Sequence, residues 1–292
     1  MDPVLLVRLL EPPIFVGTCI LLIWLSLPGA NPLRATFRPV WRVLTRRGYL
    51  LYILIGFLVI GGDVVLTAVD AHFTAAVQRW FGPEAFSSLL WSIEGDFVAA
   101  FQRWTWPPLT WYLAWAYIVV FPALVPWAMA VFDYLGRTQK NISLLVAYIL
   151  NYLLVLPFYV FFPVLECHEF RPGGEPFVRL ALDDIHPAVM EVLRPMSGID
   201  NCFPSFHTSL AVTVAAFAIT SGRRAFAGVT SLMALSIIFS TLYLGIHWAT
   251  DVAAGIAVGL VAYVLGEWLG RKFSPRLGQQ KEAAAPTVTG LA

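Results

Sequence analysis

The chain has 292 residues, of which 59% are hydrophobic, 14% aromatic and only 13% charged, so it is not an ordinary soluble domain. Nineteen Lys and Arg against 18 Asp and Glu leave a net charge of +1, which excludes the basic field that gathers nucleic acid, and a mean hydropathy of +0.73 excludes disorder. Three cysteines without a C-x-x-C pair exclude a dense disulfide scaffold and give no sign of a zinc or dithiol site. The fold expected is all-α, a polytopic membrane helix bundle.

A hydrocarbon core about 30 Å thick takes roughly 20 apolar residues per helix. In chain order the candidate spans are Pro13 to Pro28, Tyr49 to Val69, Pro108 to Phe132, Ile142 to Leu165, His207 to Ser221, Ala225 to His247 and Val252 to Gly270. The first is short and near signal-peptide length, but Arg8 and Glu11 make a poor basic leader and no cleavage site is clear, so it is read as a span. Asp63, inside the second, is either functional or a hydrogen-bonded packing residue. Gly255 and Gly259 in the last suit tight helix packing, and Glu267 four residues before Arg271 suits a local ion pair.

With the N-terminus outside, most basic residues fall on one side: Arg34, Arg38, Arg42, Arg46, Arg47, Arg137, Lys140, Arg223, Arg224 and the tail. The positive-inside rule therefore predicts a cytoplasmic C-terminus. The outer loop from Asp70 to Pro107, rich in Trp and Phe, suits amphipathic helices at the lipid boundary. The outer loop from Glu166 to Pro204 is acidic. Its Glu166, Cys167, His168, Glu169, Asp183, Asp184 and His186 have spacings too mixed for a metal site. Cys167 and Cys202, in the same loop, are placed where a disulfide is permitted, though sequence distance leaves open whether the sulfurs meet.

Two segments stand apart from the apolar background. One is Asn201-Cys202-Phe203-Pro204-Ser205-Phe206-His207-Thr208, opening the fifth span; the other runs from Ser240 through Thr241 and His247 to Asp251, between the sixth and seventh. The topology puts both on the outer face. These residue types suit phosphoryl transfer without a metal: a neutral His as nucleophile, a carboxylate fixing its tautomer, and a second His as proton donor to the leaving oxygen. His247, Asp251 and His207 fill those places in order. Ser205 suits a helix N-cap and, with the backbone N–H groups opening the fifth helix, phosphate oxygens.

Order, spacing and topology resemble the second and third motifs of the type 2 phosphatidic acid phosphatase superfamily, Pro-Ser-Gly-His and Ser-Arg-x5-His-x3-Asp, with Ser240, His247 and Asp251 in register. The likeness covers spans four to seven well, spans two and three by topology only, and the first not at all. The sequence departs from the pattern at three places. Phe206 replaces the Gly, Thr241 replaces the Arg, and no Lys stands seven residues before Arg171-Pro172 or Arg194-Pro195, where Val164 and Pro187 are found. Arg171 is therefore expected to hold phosphate, with Arg194 as its rival and Arg179 as a further candidate; Ser205, Phe206, Ser240 and Thr241 complete the expected substrate contacts. Pro-Ser-x-His with a large apolar residue, and Thr-x-Tyr-Leu before His-x3-Asp, look like the branch that includes fungal inositol phosphorylceramide synthases.

The resemblance implies a six-helix phosphatase-like core over residues 49–272, preceded by an N-terminal span and basic inner loop over 1–48 and followed by a disordered inner tail over 273–292. It implies an integral membrane lipid phosphate phosphatase or phosphotransferase with a phosphohistidine intermediate, an extracytoplasmic active site, a lipid phosphate or phospholipid substrate, no cofactor and no metal. A head-group transferase, a transporter lined by Asp63 and an inactive scaffold are the other readings. The lipid, the acceptor and the oligomeric state stay open.

Overall fold

A computed structural model describes residues 3–45, 76–82, 84–185, 188, 189 and 201–277. The expected second span with Asp63, Arg194, His186 and the end of the tail lie outside the described residues. The described residues include the helices α1 (Pro3–Ser26), α2 (Pro32–Thr45), α3 (Ala85–Glu94), α4 (Pro107–Trp115), α5 (Phe121–Tyr134), α6 (Thr138–Phe161), α7 (Phe206–Ile219), α8 (Arg224–Tyr243) and α9 (Ala249–Leu277). Among the described residues there is no strand, only one bridge between Val164 and Asn201. The protein is an all-α integral membrane bundle. Five segments are long and apolar enough to cross: Arg8–Ser26, Pro107–Tyr134, Thr138–Phe161, Arg224–Tyr243 and Ala249–Lys272; α7 is a shorter apolar helix.

Local chemistry explains where the span ends differ from hydropathy. The fourth span stops at Phe161 rather than Leu165, because the residue before a proline is pushed out of the helical region and Phe162 precedes Pro163. The sixth stops at Tyr243 rather than His247, because Gly245 turns the chain with φ +78°. A Cβ there would also stand 2.5 Å from the Arg179 carbonyl oxygen. The first begins nearer the N-terminus and carries Pro12 and Pro13 inside it. The third is continuous through a π-helical turn at Ala116–Val120 that joins α4 to α5; Pro122 lacks an N–H and crowds the preceding turn, which the wider turn accommodates.

The bundle core packs Leu22, Trp127, Phe132, Leu144, Phe217 and Phe226 between helices. Helix α9 lies close against α7 and α6 because its contact stripe is glycine. A Cβ on Gly255 would come 2.6 Å from the Ser205 carbonyl oxygen, one on Gly259 would meet the Ser209 backbone, and one on Gly266 would sit 2.5 Å from the Ala147 Cβ. A buried amide, Asn151, links all three helices: it accepts from Ser209, donates to Thr213 Oγ1 (3.0 Å), and Thr213 in turn donates to the Gly259 carbonyl (2.9 Å). At the end far from the two motifs, Glu267 pairs with Lys140 at 2.5 Å, closer than the expected Arg271 at 3.7 Å.

A second layer caps the other end. It comprises α3, a 3₁₀ turn at Val98–Gln102, the chain over 162–185, and the loop over 244–248, packed around Val164, Cys167, Phe170, Cys202 and Trp248. Backbone carbonyls of the 244–248 loop tie it together. Leu244 accepts from Ala181 (3.1 Å), Gly245 from His168 (3.0 Å) and Ile246 from Cys167 (3.0 Å). The Gln102 amide donates to the carbonyls of Arg179 (2.7 Å) and Tyr243 (3.1 Å), and the Trp248 indole donates to Leu165 (2.9 Å).

Candidate active site

The start of α7, the end of α8 and the start of α9 meet beneath this cap. Ser205 caps α7, its Oγ accepting the Thr208 N–H at 3.2 Å, while its own N–H donates to the Asp251 carbonyl at 3.1 Å. The first turn of α7 is thereby fixed to the first turn of α9. His207 sits one residue inside α7. Its ring stacks on Tyr117 (centroids 4.4 Å, planes 22° apart) and lies 4.2 Å from the Phe121 ring, on either side of the junction between the π turn and α5.

His247 lies in the loop between α8 and α9 and is 3% exposed. Backbone holds the loop: the N–H groups of Ile246 and His247 both donate to the Thr241 carbonyl at 3.1 Å. Asp251 Oδ2 accepts the Trp248 N–H at 2.9 Å and lies 3.3 Å from His247 Nδ1. A carboxylate only accepts, so Nδ1 carries the ring proton and Nε2 keeps its lone pair. That lone pair points at His207 Nδ1, 3.3 Å away. The structure thus joins the three residues expected for catalysis in one chain, Asp251 to His247 to His207.

Neighbouring residues complete the surroundings. Cys202 Sγ is 3.1 Å from His247 Nδ1 and donates to the Ile246 carbonyl at 3.3 Å. Burial, reinforced by the Asp251 carboxylate, pushes the Cys202 thiol well above the usual range, and burial does the same to Cys167. Both cysteines are free thiols, so the disulfide that the outer loop permits is absent; Cys202 is directed toward the imidazole instead. Glu94, at the end of α3, caps α9: its carboxylate accepts the N–H groups of Ala249 (2.8 Å) and Thr250 (3.2 Å) and the Thr250 hydroxyl (2.8 Å).

The expected phosphate contacts divide. Ser240 and Thr241 are buried, but their hydroxyls donate to the Ile237 and Ile238 carbonyls of their own helix, at 2.7 and 2.8 Å. Thr241 serves the loop through its carbonyl. Phe206 packs edge-on to Phe121, Tyr148 and Tyr152. Arg171 is exposed at the start of the Pro172–Gly174 turn. Arg179 is paired with Asp184, which raises its guanidinium further above its usual value. The acidic loop forms no metal cluster among the described residues; His168 stands between Glu166 (3.4 Å) and Glu169 (3.3 Å).

Sequence reasoning missed Glu94, Tyr117 and Phe121. Glu94 is 155 residues from Ala249, and nothing local marks it as a cap. The proline at 122 is the one signal for the π turn that places Tyr117.

No curated protein and no solved structure gives a significant match to the chain. A family model described as the PAP2 superfamily matches residues 88–265, which span α3 through most of α9 and contain the cap and both histidines. More than half of the chain lies in that match, and the chain belongs to the PAP2 superfamily.

Proposed function

We propose that the protein is a lipid phosphate phosphatase or phosphotransferase in which His247 Nε2 attacks phosphorus. Membership of the superfamily supports phosphatase-type chemistry on lipid phosphates in general terms. The observation that carries the finer reading is the Asp251 to His247 to His207 chain: the carboxylate fixes the proton on Nδ1, and Nε2 is left free beside a second imidazole. Phosphate entering between the rings separates them. His247 Nε2 bonds to phosphorus while the ester P–O bond breaks, and the proton on His207 passes to the departing alkoxide. Asp251 steadies the cationic phosphohistidine, and the second half-reaction hands phosphorus to water or to an acceptor hydroxyl. The N–H groups opening α7 lie where oxygens of the transferring group are held. Arg171 and Arg194 are the proposed cations of the outer loop, and the reaction needs no metal.

Burial of His247 at 3% exposed favours transfer to a hydroxyl-bearing acceptor over open hydrolysis, as the inositol phosphorylceramide synthase-like motifs do. The site is proposed to face the extracytoplasmic side, opposite the basic loops. Purified protein given ³²P-labelled lipid phosphate should form an acid-labile, base-stable phosphoenzyme that His247→Ala lacks. His207→Ala should form it slowly from a lipid ester and faster from an aryl phosphate, which needs little help in leaving. Normal turnover by His247→Ala overturns the assignment. Free phosphate as the sole product in the presence of inositol and diacylglycerol overturns the transfer reading.

A further inference from the structure

Beyond the phosphoryl chemistry, the same end of α9 holds a donor set that the proposed reaction does not use as such. Cys202 Sγ, His247 Nδ1 and an Asp251 carboxylate oxygen all lie within 4.8 Å of one another, and all three residues are buried. Sulfur and nitrogen are 3.1 Å apart, nitrogen and Oδ2 3.3 Å. Tetrahedral zinc bonds to S, N and O at about 2.3, 2.05 and 2.1 Å, which sets neighbouring ligands about 3.4–3.6 Å apart. For these two pairs, movements of a few tenths of an ångström reach that spacing. A second observation points the same way. Asp251 is 0% exposed, yet its Oδ1 has no hydrogen-bond partner among the described residues, leaving a carboxylate oxygen beside a thiol and an imidazole.

We propose that Cys202, His247 and Asp251 form an inhibitory site for a thiophilic divalent cation, zinc by geometry. One thiolate, one imidazole and one carboxylate satisfy three positions and leave the fourth to water, and sulfur selects against magnesium and calcium. Binding is balanced without redox. The Cys202 thiol proton leaves to solvent, Nδ1 gives its lone pair to the metal, and the single ring proton moves from Nδ1 to Nε2. The nitrogen that attacks phosphorus in the proposed reaction then carries a hydrogen and no free lone pair. Metal and phosphorus cannot both be served by the ring, so the occupied site is an off state. This last step rests on the phosphohistidine reading, whereas the metal site itself does not.

The test therefore separates the two. Co²⁺ is titrated into the purified, metal-stripped full chain in detergent, followed by absorption and by X-ray absorption at the cobalt edge. One equivalent should bind with a thiolate-to-cobalt charge-transfer band and a shell of one sulfur with nitrogen and oxygen, and Zn²⁺ should displace it. Cys167→Ser should keep the band, and Cys202→Ser should lose it and weaken zinc by at least about tenfold. No band, two sulfurs in the shell, or a band that survives Cys202→Ser overturns the site; the wild-type spectra decide even where a variant does not fold. In a parallel assay, Zn²⁺ should lower lipid phosphate turnover at least about tenfold, with full recovery on chelation. Bound zinc with unchanged turnover overturns the off state while the site's spectra stand, and a chain without turnover on any lipid phosphate removes the proposed reaction without touching the spectroscopic result.

Discussion

His207 and His247 face one another across 3.3 Å, but the first belongs to the membrane bundle and the second to the cap. His207 is held by shape, between the Tyr117 and Phe121 rings, on a helix seated against the glycine stripe of α9. His247 is held by polarity: Asp251 and Cys202 at its Nδ1, and two N–H groups of its loop on the Thr241 carbonyl. The difference fits what the proposed reaction asks of each ring. A nucleophile needs one defined tautomer, which only hydrogen bonds can impose, whereas a proton donor must be free to give its proton up and is better placed by packing. The site is thus a seam between two layers, and variants that disturb one layer should fail differently from those that disturb the other.

The largest effect expected from this contrast is on the polar side. Asp251→Asn can keep an oxygen for both the Trp248 N–H and His247 Nδ1–H, which share Oδ2, but it loses the negative charge that steadies the cationic ring, and phosphoenzyme formation should fall by about 10³–10⁴-fold, as in other carboxylate–histidine pairs. Rapid-quench measurement of the first turnover checks it, and a loss under tenfold would move the weight of the seam to the aromatic side. Glu94→Gln comes next. It exchanges one carboxylate oxygen for an NH₂ facing the donors at the start of α9, two residues before Asp251. Loosening that cap by about 1.4 kcal/mol lowers kcat roughly tenfold. Because α3 touches no reacting group, KM for the lipid should change less than kcat.

On the aromatic side the effect is smaller and graded. Tyr117→Leu removes the stacked ring, a contact of about 0.5–1.5 kcal/mol, and should slow turnover of a lipid ester roughly two- to tenfold. An aryl phosphate, which leaves without protonation, should be spared. Tyr117→Phe keeps the ring and should behave as the parent protein does. Equal losses on ester and aryl substrates would show that the ring shapes the whole pocket rather than placing His207.

The two layers also differ in how legibly they are written. The membrane-length helices and α7 are marked by their runs of apolar residues, whereas α2 with its three Arg is not, and the α7 and α9 contact could be read from Gly255 and Gly259, because small residues in lipid have one common use. Ser205 as a cap and the pairing of His247 with Asp251 follow from spacing within a few residues. The cap layer is opaque for the opposite reason. Glu94, Gln102, Ser87 and Trp248 act through hydrogen bonds to backbone far away in sequence, and a lone polar side chain carries no period. Ser240 and Thr241 show the same limit from another side. Their places in the motif are plain, but only the fold reveals that their hydroxyls turn back onto the helix while the Thr241 carbonyl braces the loop.

The smallest effect on catalysis is expected where the bundle is farthest from the seam. Lys140 Nζ meets Glu267 Oε1 at 2.5 Å, joining α6 to α9, with side chains only 18% and 9% exposed. Breaking a buried pair leaves a charge without its partner and usually costs several kilocalories, but Arg271, 69% exposed, remains 3.7 Å from the other Glu267 oxygen. Lys140→Met, which keeps the length of the side chain, should therefore cost about 1–2 kcal/mol, less than a fully stranded carboxylate would. Thermal unfolding in detergent would register this as a midpoint roughly 2–8 °C lower. Turnover and phosphoenzyme formation below that midpoint should match the parent protein, because the cap's hydrogen bonds and the ring stack on His207 all lie at the opposite end of α6 and α9. A fall in turnover without a fall in melting temperature would mean that α9 transmits changes at its far end to Asp251 and that bundle and cap work as one body.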